Sequence, residues 1–310
     1  MAAPNESNLP YRARRTPLRL ADISLINVVL LPFRFAGAIG LFCYALTLAF
    51  SHVVLLKVAP VCADRYFFAC CQRSSYVFLR VLGFEVVVDG LKHRRYDALS
   101  HHRYVVVANH VAVYDPWALM AALGPLAFVA RRSLFEFPVV GAVLRALDAV
   151  AVDRRRRGDA GGARDAIAGR LRGADTPKWP LLVFPEGATT NGRGVIQFKT
   201  GAFAPLAPVL PVALRYACAS GFDASYTDNQ MSAGAVLFHF LRVLLERGKR
   251  VTVTVLPAAA PPGDGATAAD FAAAARAAIL GALPDGADWA DWDNARLRRE
   301  WYGEDAAKVD

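Results

Sequence analysis

The sequence predicts an α/β protein: a largely parallel central sheet of about seven strands flanked by helices, preceded by a hydrophobic N-terminal two-helix motif. Three observations predict it. Seven short apolar runs, FEVVVDG, RYVVVAN, PLAFVA, DAVAVD, PLLVFP, VLPVALRY and VTVTVLP, are continuous rather than alternating, as strands covered on both faces must be. Most are separated by helix-like stretches, among them PWALMAAL, PVVGAVLRAL, AGGARDAIAGRLRG and SAGAVLFHFLRVLLERG, and such alternation gives parallel pairing with chemistry at strand C-terminal ends. Lastly, the most membrane-like apolar residues all lie ahead of the first strand.

In chain order, residues 1–22 are polar and basic, with Arg12, Arg14, Arg15 and Arg19. Residues 23–84 are hydrophobic. From Ala36 to Leu56 no side chain is charged except by protonation of His52, and Arg34 and Lys57 bound the run. As a helix it is roughly 31 Å long, the hydrocarbon thickness of a bilayer, and too long and too internal for a signal peptide. A buried core helix is the alternative; Gly37 and Gly40 weaken a helix more in water than in lipid. Upstream, Ile23 to Phe33 is too short to span, and downstream, Tyr66 to Phe84 fits a helix at the interface or packed on the protein. The arginines place the N-terminus on the cytosolic side; one crossing sends the rest of the chain across, whereas a hairpin or re-entrant pair keeps it cytosolic. Residues 85–257 hold the α/β domain. Residues 258–310 start as a Pro/Gly/Ala linker, continue as an Ala-rich helix with Thr267 and Asp270 at capping-box spacing, and end in a polar surface tail with Trp289, Trp292 and Trp301.

Composition narrows the function. The 310 residues carry 36 Lys and Arg against 27 Asp and Glu, a net charge of +9, with 55% hydrophobic and 20% charged residues. That balance excludes a disordered chain and argues for a globular body that touches a membrane. The positive surplus suits an anionic lipid surface and phosphorylated substrates. No nucleic-acid motif accompanies it, so no nucleic-acid partner is expected. Five cysteines, an odd number without C-x-x-C spacing, indicate neither disulfides nor zinc; free thiols and no metal are expected.

Two strand ends carry chemistry. Tyr104 to Ala108 runs into Asn109-His110, with Asp115 five residues later in NHVAVYDP. Five residues on a regular helix are about 140° apart, so the pair meets only if His110 sits in the turn before the helix and Asp115 in its first turn. Pro116 favours that placement. Asp115 then orients one imidazole nitrogen and leaves the other as a base. The second strand end, PLLVFPEGATTNGRG, presents Pro185, Glu186 and Gly187 at the same sheet edge, where backbone N–H groups and a carboxylate suit hydroxyls, phosphate or an oxyanion. The plainer alternatives are a structural His–Asp pair and a tight turn with a surface glutamate.

Together these blocks resemble the glycerolipid and lysophospholipid acyltransferase superfamily, whose members pair N-H-x4-D with a later F-P-E-G-T. FVARRSLFEFPVVG, VAVDRR and PVLPVALRY resemble the intermediate and fourth blocks in order, so the likeness runs from about Phe84 to Pro257. FPEGATTNGRGVIQFKTGAF looks closest to the branch acting on lysophosphatidylcholine or lysophosphatidylethanolamine. The resemblance implies direct acyl transfer from acyl-CoA, as co-substrate and with no other cofactor, to a lysophospholipid hydroxyl. His110 would be general base and Asp115 its orienter. Glu186 and Gly187, with Pro185, Thr189 and Pro211, would line the acceptor site, and Arg131 and Arg154 would hold phosphates. The family's Thr is Ala188 here, and the Arg that suits lysophosphatidic acid is Thr189, which favours an acceptor with a headgroup. A 1-acylglycerol-3-phosphate acyltransferase is the enzymatic alternative, and a non-catalytic lipid-binding or membrane-shaping protein the alternative of another class. Arg155 to Arg157 read as a solvated face for anionic lipid or CoA, and the family's pathway implies the endoplasmic reticulum with a cytosolic site.

Overall fold

The structure, a computed structural model, describes residues 10, 19–23, 25–90, 104–152, 160–173, 177–223, 233–263, 265–284 and 286–302. Two long helices come first: α1 (Leu25–Val58), which runs through Pro32, and α2 (Pro60–Val81), which begins on a proline at its first turn. The runs Ile23–Phe33 and 36–56 are thus one helix, and with α2 they form a hairpin broken only at Ala59. The body follows as β1 (Phe84–Asp89), β2 (Val105–Ala108), α3 (Asp115–Leu123), β3 (Ala127–Arg131), α4 (Pro138–Ala146), β4 (Val150–Val152), α5 (Ala160–Arg172), β5 (Leu181–Val183), β6 (Gly194–Ile196), β7 (Val209–Cys218), α6 (Ala233–Leu245) and β8 (Lys249–Val255). The chain then adds α7 (Ala268–Gly281), β9 (Ala287–Trp289) and α8 (Asn294–Tyr302).

All seven expected strands join one sheet in the order β1-β8-β7-β2-β5-β3-β4. Every pairing in it is parallel except β7 with β8. Because side chains alternate across a strand, β2 feeds two cores: Val106 and Ala108 pack with α2, α3 and α6, while Val105 and Val107 pack with α5 and α7. The parallel strands therefore send the ends of β2 and β5 to one edge.

The bilayer-crossing span expected over 36–56 has no counterpart: among the described residues no helix is long and apolar enough to cross a membrane. The hairpin instead lies on the body, with α1 against α4 and α6 and α2 against α3. Polar groups fasten it. Asn27 Nδ2 donates to the Leu245 and Glu246 carbonyls at 2.9 and 3.0 Å, and Arg34 Nη1 to Leu244 O at 2.6 Å. These bonds satisfy the last carbonyls of α6, where a cation also meets the negative end of the helix dipole. His52 is buried and pairs with Asp64 at 2.9 Å between α1 and α2, a structural role.

The C-terminal segment corrects the surface-tail expectation. The capping box at Thr267 and Asp270 opens α7 as its spacing implies. Beyond it, β9 pairs in parallel with β6 as a separate two-stranded sheet, and Trp289 and Trp292 are buried with Ile196 and Leu297.

Candidate active site

Asp115 is the first residue of α3, with Pro116 behind it, and His110 lies in the turn ahead. That turn folds on the carboxylate: Asp115 Oδ2 accepts the Val111 and Ala112 amides at 2.6 and 3.0 Å, and His110 Nδ1 stands 2.8 Å from the same oxygen. Asp115 is fully buried, whereas the His110 side chain is 23% exposed. With the carboxylate facing Nδ1, the ring carries its proton there and leaves Nε2 as the acceptor toward the open side. Phe184 stacks on the imidazole at 4.1 Å and 13°, which fixes the ring plane. Asn109, also buried, exchanges two hydrogen bonds with Leu214 at 2.9 and 2.7 Å and so ties the end of β2 to β7.

The loop after β5 reaches the same place. Gly187 adopts φ 71°, a conformation glycine takes without strain, and its amide closes a turn onto Phe184 O at 3.0 Å. The turn sends Glu186 inward. Its Oε1 accepts the His110 amide at 2.7 Å and its Oε2 the Ile196 amide at 3.2 Å, while the Thr190 amide donates to His110 O at 2.9 Å. Both main-chain groups of His110 are therefore held by the second motif. Gly192, at φ 73°, allows the close pass over Val111: an added Cβ would lie 2.6 Å from a Val111 methyl.

Burial pushes the Glu186 carboxyl up to about 8, with the Asp115 charge acting the same way, against the two amide bonds and the Arg276 charge. Tyr216 is half-buried near Asp115 with its hydroxyl shut off from solvent, and burial of that phenol followed by the Asp115 charge drives it well above its ordinary range.

Of the residues singled out by sequence, the fold thus brings His110, Asp115 and Glu186 into one hydrogen-bonded cluster. Glu186, expected at the acceptor site, is fully buried, and its two oxygens accept backbone amides. Gly187 is exposed and Thr189 half-buried beside it, while Pro185 is buried and its carbonyl accepts the Lys199 amide at 2.8 Å. Pro211 lies buried within β7 opposite Val107, and its carbonyl accepts the Leu256 amide at 3.0 Å. Arg131 ends β3, at the corresponding edge of the sheet. Arg154 and Arg155 to Arg157 lie outside the described residues.

Sequence reasoning missed Asn109, Tyr216 and Lys199. The side chain of Lys199, an exposed residue, lies across Gly187, where an added Cβ would sit 2.9 Å from Nζ. The signal for it was the lysine in FKTGAF, twelve positions after Gly187.

A family model described as Acyltransferase matches residues 86–215, which includes every hydrogen bond of this cluster. "Lysophosphatidylcholine acyltransferase 2" of Rattus norvegicus is 38% identical over 215 residues, 66% of this chain and 38% of that protein. "Lysophospholipid acyltransferase LPEAT1" of Arabidopsis thaliana is 41% identical over 114 residues, 36% of this chain and 28% of that protein. The chain thus spans less than two fifths of these relatives' length. Among solved structures, the 1-acyl-sn-glycerophosphate acyltransferase PlsC of Thermotoga maritima shares the fold at TM-score 0.56 and 20% identity, covering 83% of this chain and 95% of that one. Residues 86–215 thus match the Acyltransferase family model, and the chain is similar over part of its length to proteins named as lysophospholipid and lysophosphatidylcholine acyltransferases.

Proposed function

We propose that this protein transfers a fatty acyl chain from acyl-CoA to the free glycerol hydroxyl of a lysophospholipid, of the lysophosphatidylcholine or lysophosphatidylethanolamine type. The observation that carries the reading is the His110–Asp115 pair, 2.8 Å apart, with a partly exposed imidazole and a buried carboxylate. In this reading Nε2 takes the hydroxyl proton as the oxygen attacks the thioester carbonyl. The C–S bond then breaks, and the CoA sulfur leaves with the proton returned by the imidazolium. Asp115 stabilises that imidazolium, and the helix dipole at the start of α3 favours the ionised carboxylate. The sequence has no G-x-S-x-G nucleophile elbow, so the reading involves a ternary complex, no acyl-enzyme and no cofactor beyond acyl-CoA.

Glu186 serves here as a positioning residue, Gly187 and Thr189 border the acceptor, and Arg131 and Arg154 are assigned to phosphates. The reading also places the site at a membrane surface, of the endoplasmic reticulum on its cytosolic side. Its support is the outward face of α1, where Leu25, Val29, Phe33, Phe35, Ile39, Phe50 and Val58 are exposed. A contiguous apolar face of that extent seeks lipid or protein.

Lys199 favours a second reading, a 1-acylglycerol-3-phosphate acyltransferase, because an ammonium beside Gly187 suits a phosphate monoester. One experiment separates the two: purified protein, one labelled acyl-CoA and a panel of lysophospholipids. The first reading expects label in phosphatidylcholine or phosphatidylethanolamine. Label in phosphatidic acid alone overturns it in favour of the second.

A further inference from the structure

We propose that the C-terminal segment is part of the acyl-transfer machinery, with Arg276 a positioning residue that holds β6 so that the Ile196 amide fixes Glu186 and, through it, the His110 main chain. The proposal rests on the site reading above and extends it to residues beyond the 86–215 family match.

The strand β6 stands outside the seven-stranded sheet, and its partner is β9, in register Gly194 with Ala287 to Ile196 with Trp289. Both of its ends are clamped by the C-terminal segment: the Ala287 amide donates to Arg193 O and the Gln197 amide to Trp292 O, each at 2.7 Å. Arg276 reaches two residues of the same strand from α7. Its Nε donates to Ile196 O at 2.9 Å, and its Nη2 to Val195 O and to the Asp288 carboxylate.

One peptide unit matters most. The carbonyl of Val195 and the amide of Ile196 belong to the same peptide plane; the carbonyl accepts from Arg276 and the amide donates to Glu186 Oε2. A guanidinium and a buried carboxylate are thus joined by one polarised amide, an arrangement in which each hydrogen bond strengthens the other. The charged groups acting on Glu186 are Asp115 against ionisation and Arg276 for it, with the His110 ring beyond the shared main chain and Lys199 on the far side of Gly187. The apolar contact is equally direct. Ala188, where the family usually has Thr, packs on the cluster of Ile196, Trp289, Trp292 and Leu297, so the residue that departs from the motif is the one the C-terminal segment touches.

The test uses the full chain and four variants. Arg276→Met removes charge and donors, Arg276→Lys keeps the charge, Asp288→Asn loosens Arg276 while leaving the backbone pairing of β6 in place, and Ile167→Val, in the same core as Val195 and α7, controls for lost packing. Two quantities are read: kcat and KM for acyl transfer, and the protonation midpoint of Glu186 by difference infrared spectroscopy, assigned with Glu186→Gln. Arg276→Met should lower kcat by about 10²-fold with little change in KM for acyl-CoA. It should also raise the Glu186 midpoint by about one pH unit or more. Arg276→Lys should recover part of both, Asp288→Asn should show a smaller change in the same direction, and Ile167→Val should leave the midpoint where it is. If Arg276→Met does not fold, Arg276→Lys and Asp288→Asn carry the same comparison. An unmoved midpoint and kcat in the folded variants overturn the proposal. A wild type that acylates no lysophospholipid, with the midpoint still moving in Arg276→Met, overturns the functional reading and leaves the hold of Arg276 on Glu186 standing.

Discussion

At the catalytic edge the side chains nearest the chemistry are polar, buried and held: Asp115 accepts two amides and faces the imidazole, and Glu186 accepts two more. Along α1 the opposite obtains. Phe33 and Phe50 are 70% and 69% exposed among the described residues, while the polar residues Asn27 and Arg34 are turned toward α6. A buried polar group without a partner costs about 1–3 kcal/mol, so the first region spends its burial on fixing geometry. Exposed large apolar side chains cost a similar amount each in water, and the second region recovers that only where water is replaced. The difference separates two properties, turnover and membrane residence, that are testable one at a time.

The largest break in the comparison comes at the base. His110→Ala should lower kcat by about 10²–10⁴-fold and leave liposome binding unchanged, as a co-sedimentation assay beside a turnover assay would report. Loss of both together would mean that the two regions are not separable. Next is the buried carboxyl. Glu186 has its folded value raised above the ordinary one, so the folded state holds a proton that the unfolded chain has released. Its contribution to stability is full below the unfolded value of 4.5 and is lost as pH rises toward about 8, a change on the order of 4 kcal/mol. Glu186→Gln should flatten that alkaline loss in denaturant titrations at pH 5 and pH 9, although its amide cannot accept a second N–H and lowers stability at the acid end. A variant that loses stability in parallel with wild type would show that Glu186 is not the group responsible.

These two effects divide along the line of what could be read in advance. A continuous run such as RYVVVAN announces a doubly covered strand, and N-H-x4-D announces its own geometry because proline at 116 starts the helix where the carboxylate must sit. Glu186 was legible as a site residue but not in its direction. Only the fold shows that Gly187 turns it inward, onto an amide ten residues later. The strands β6 and β9 are three residues each, too short for a periodic signal, and their pairing joins positions more than ninety residues apart in roughly the way no local pattern encodes. The surface-tail reading of Trp289 and Trp292 failed for that reason. The long apolar run of α1 was legible as hydrophobic, but its use as a face against α4 and α6 depends on partners distant in sequence.

A third effect sharpens the other side of the comparison. Phe33→Glu with Phe50→Glu should weaken liposome binding by about 2 kcal/mol per site, roughly 30-fold each, with turnover of a short-chain, water-soluble acceptor unchanged. Unaltered binding would reassign the exposed face of α1 to a protein partner. The smallest expected effect lies far from both regions. Thr267→Ala removes the capping box of α7 and should cost about 1 kcal/mol in thermal unfolding, with little change in kcat at temperatures where α7 stays folded.

The most direct measurement of the central claim is a single assay of wild type and His110→Ala with labelled acyl-CoA, with and without lysophosphatidylcholine. The account predicts labelled phosphatidylcholine from wild type only when the acceptor is present, no label retained on the protein, and a loss of at least about 10²-fold in the variant. Label carried on the protein without acceptor, or equal product from both proteins, would contradict it.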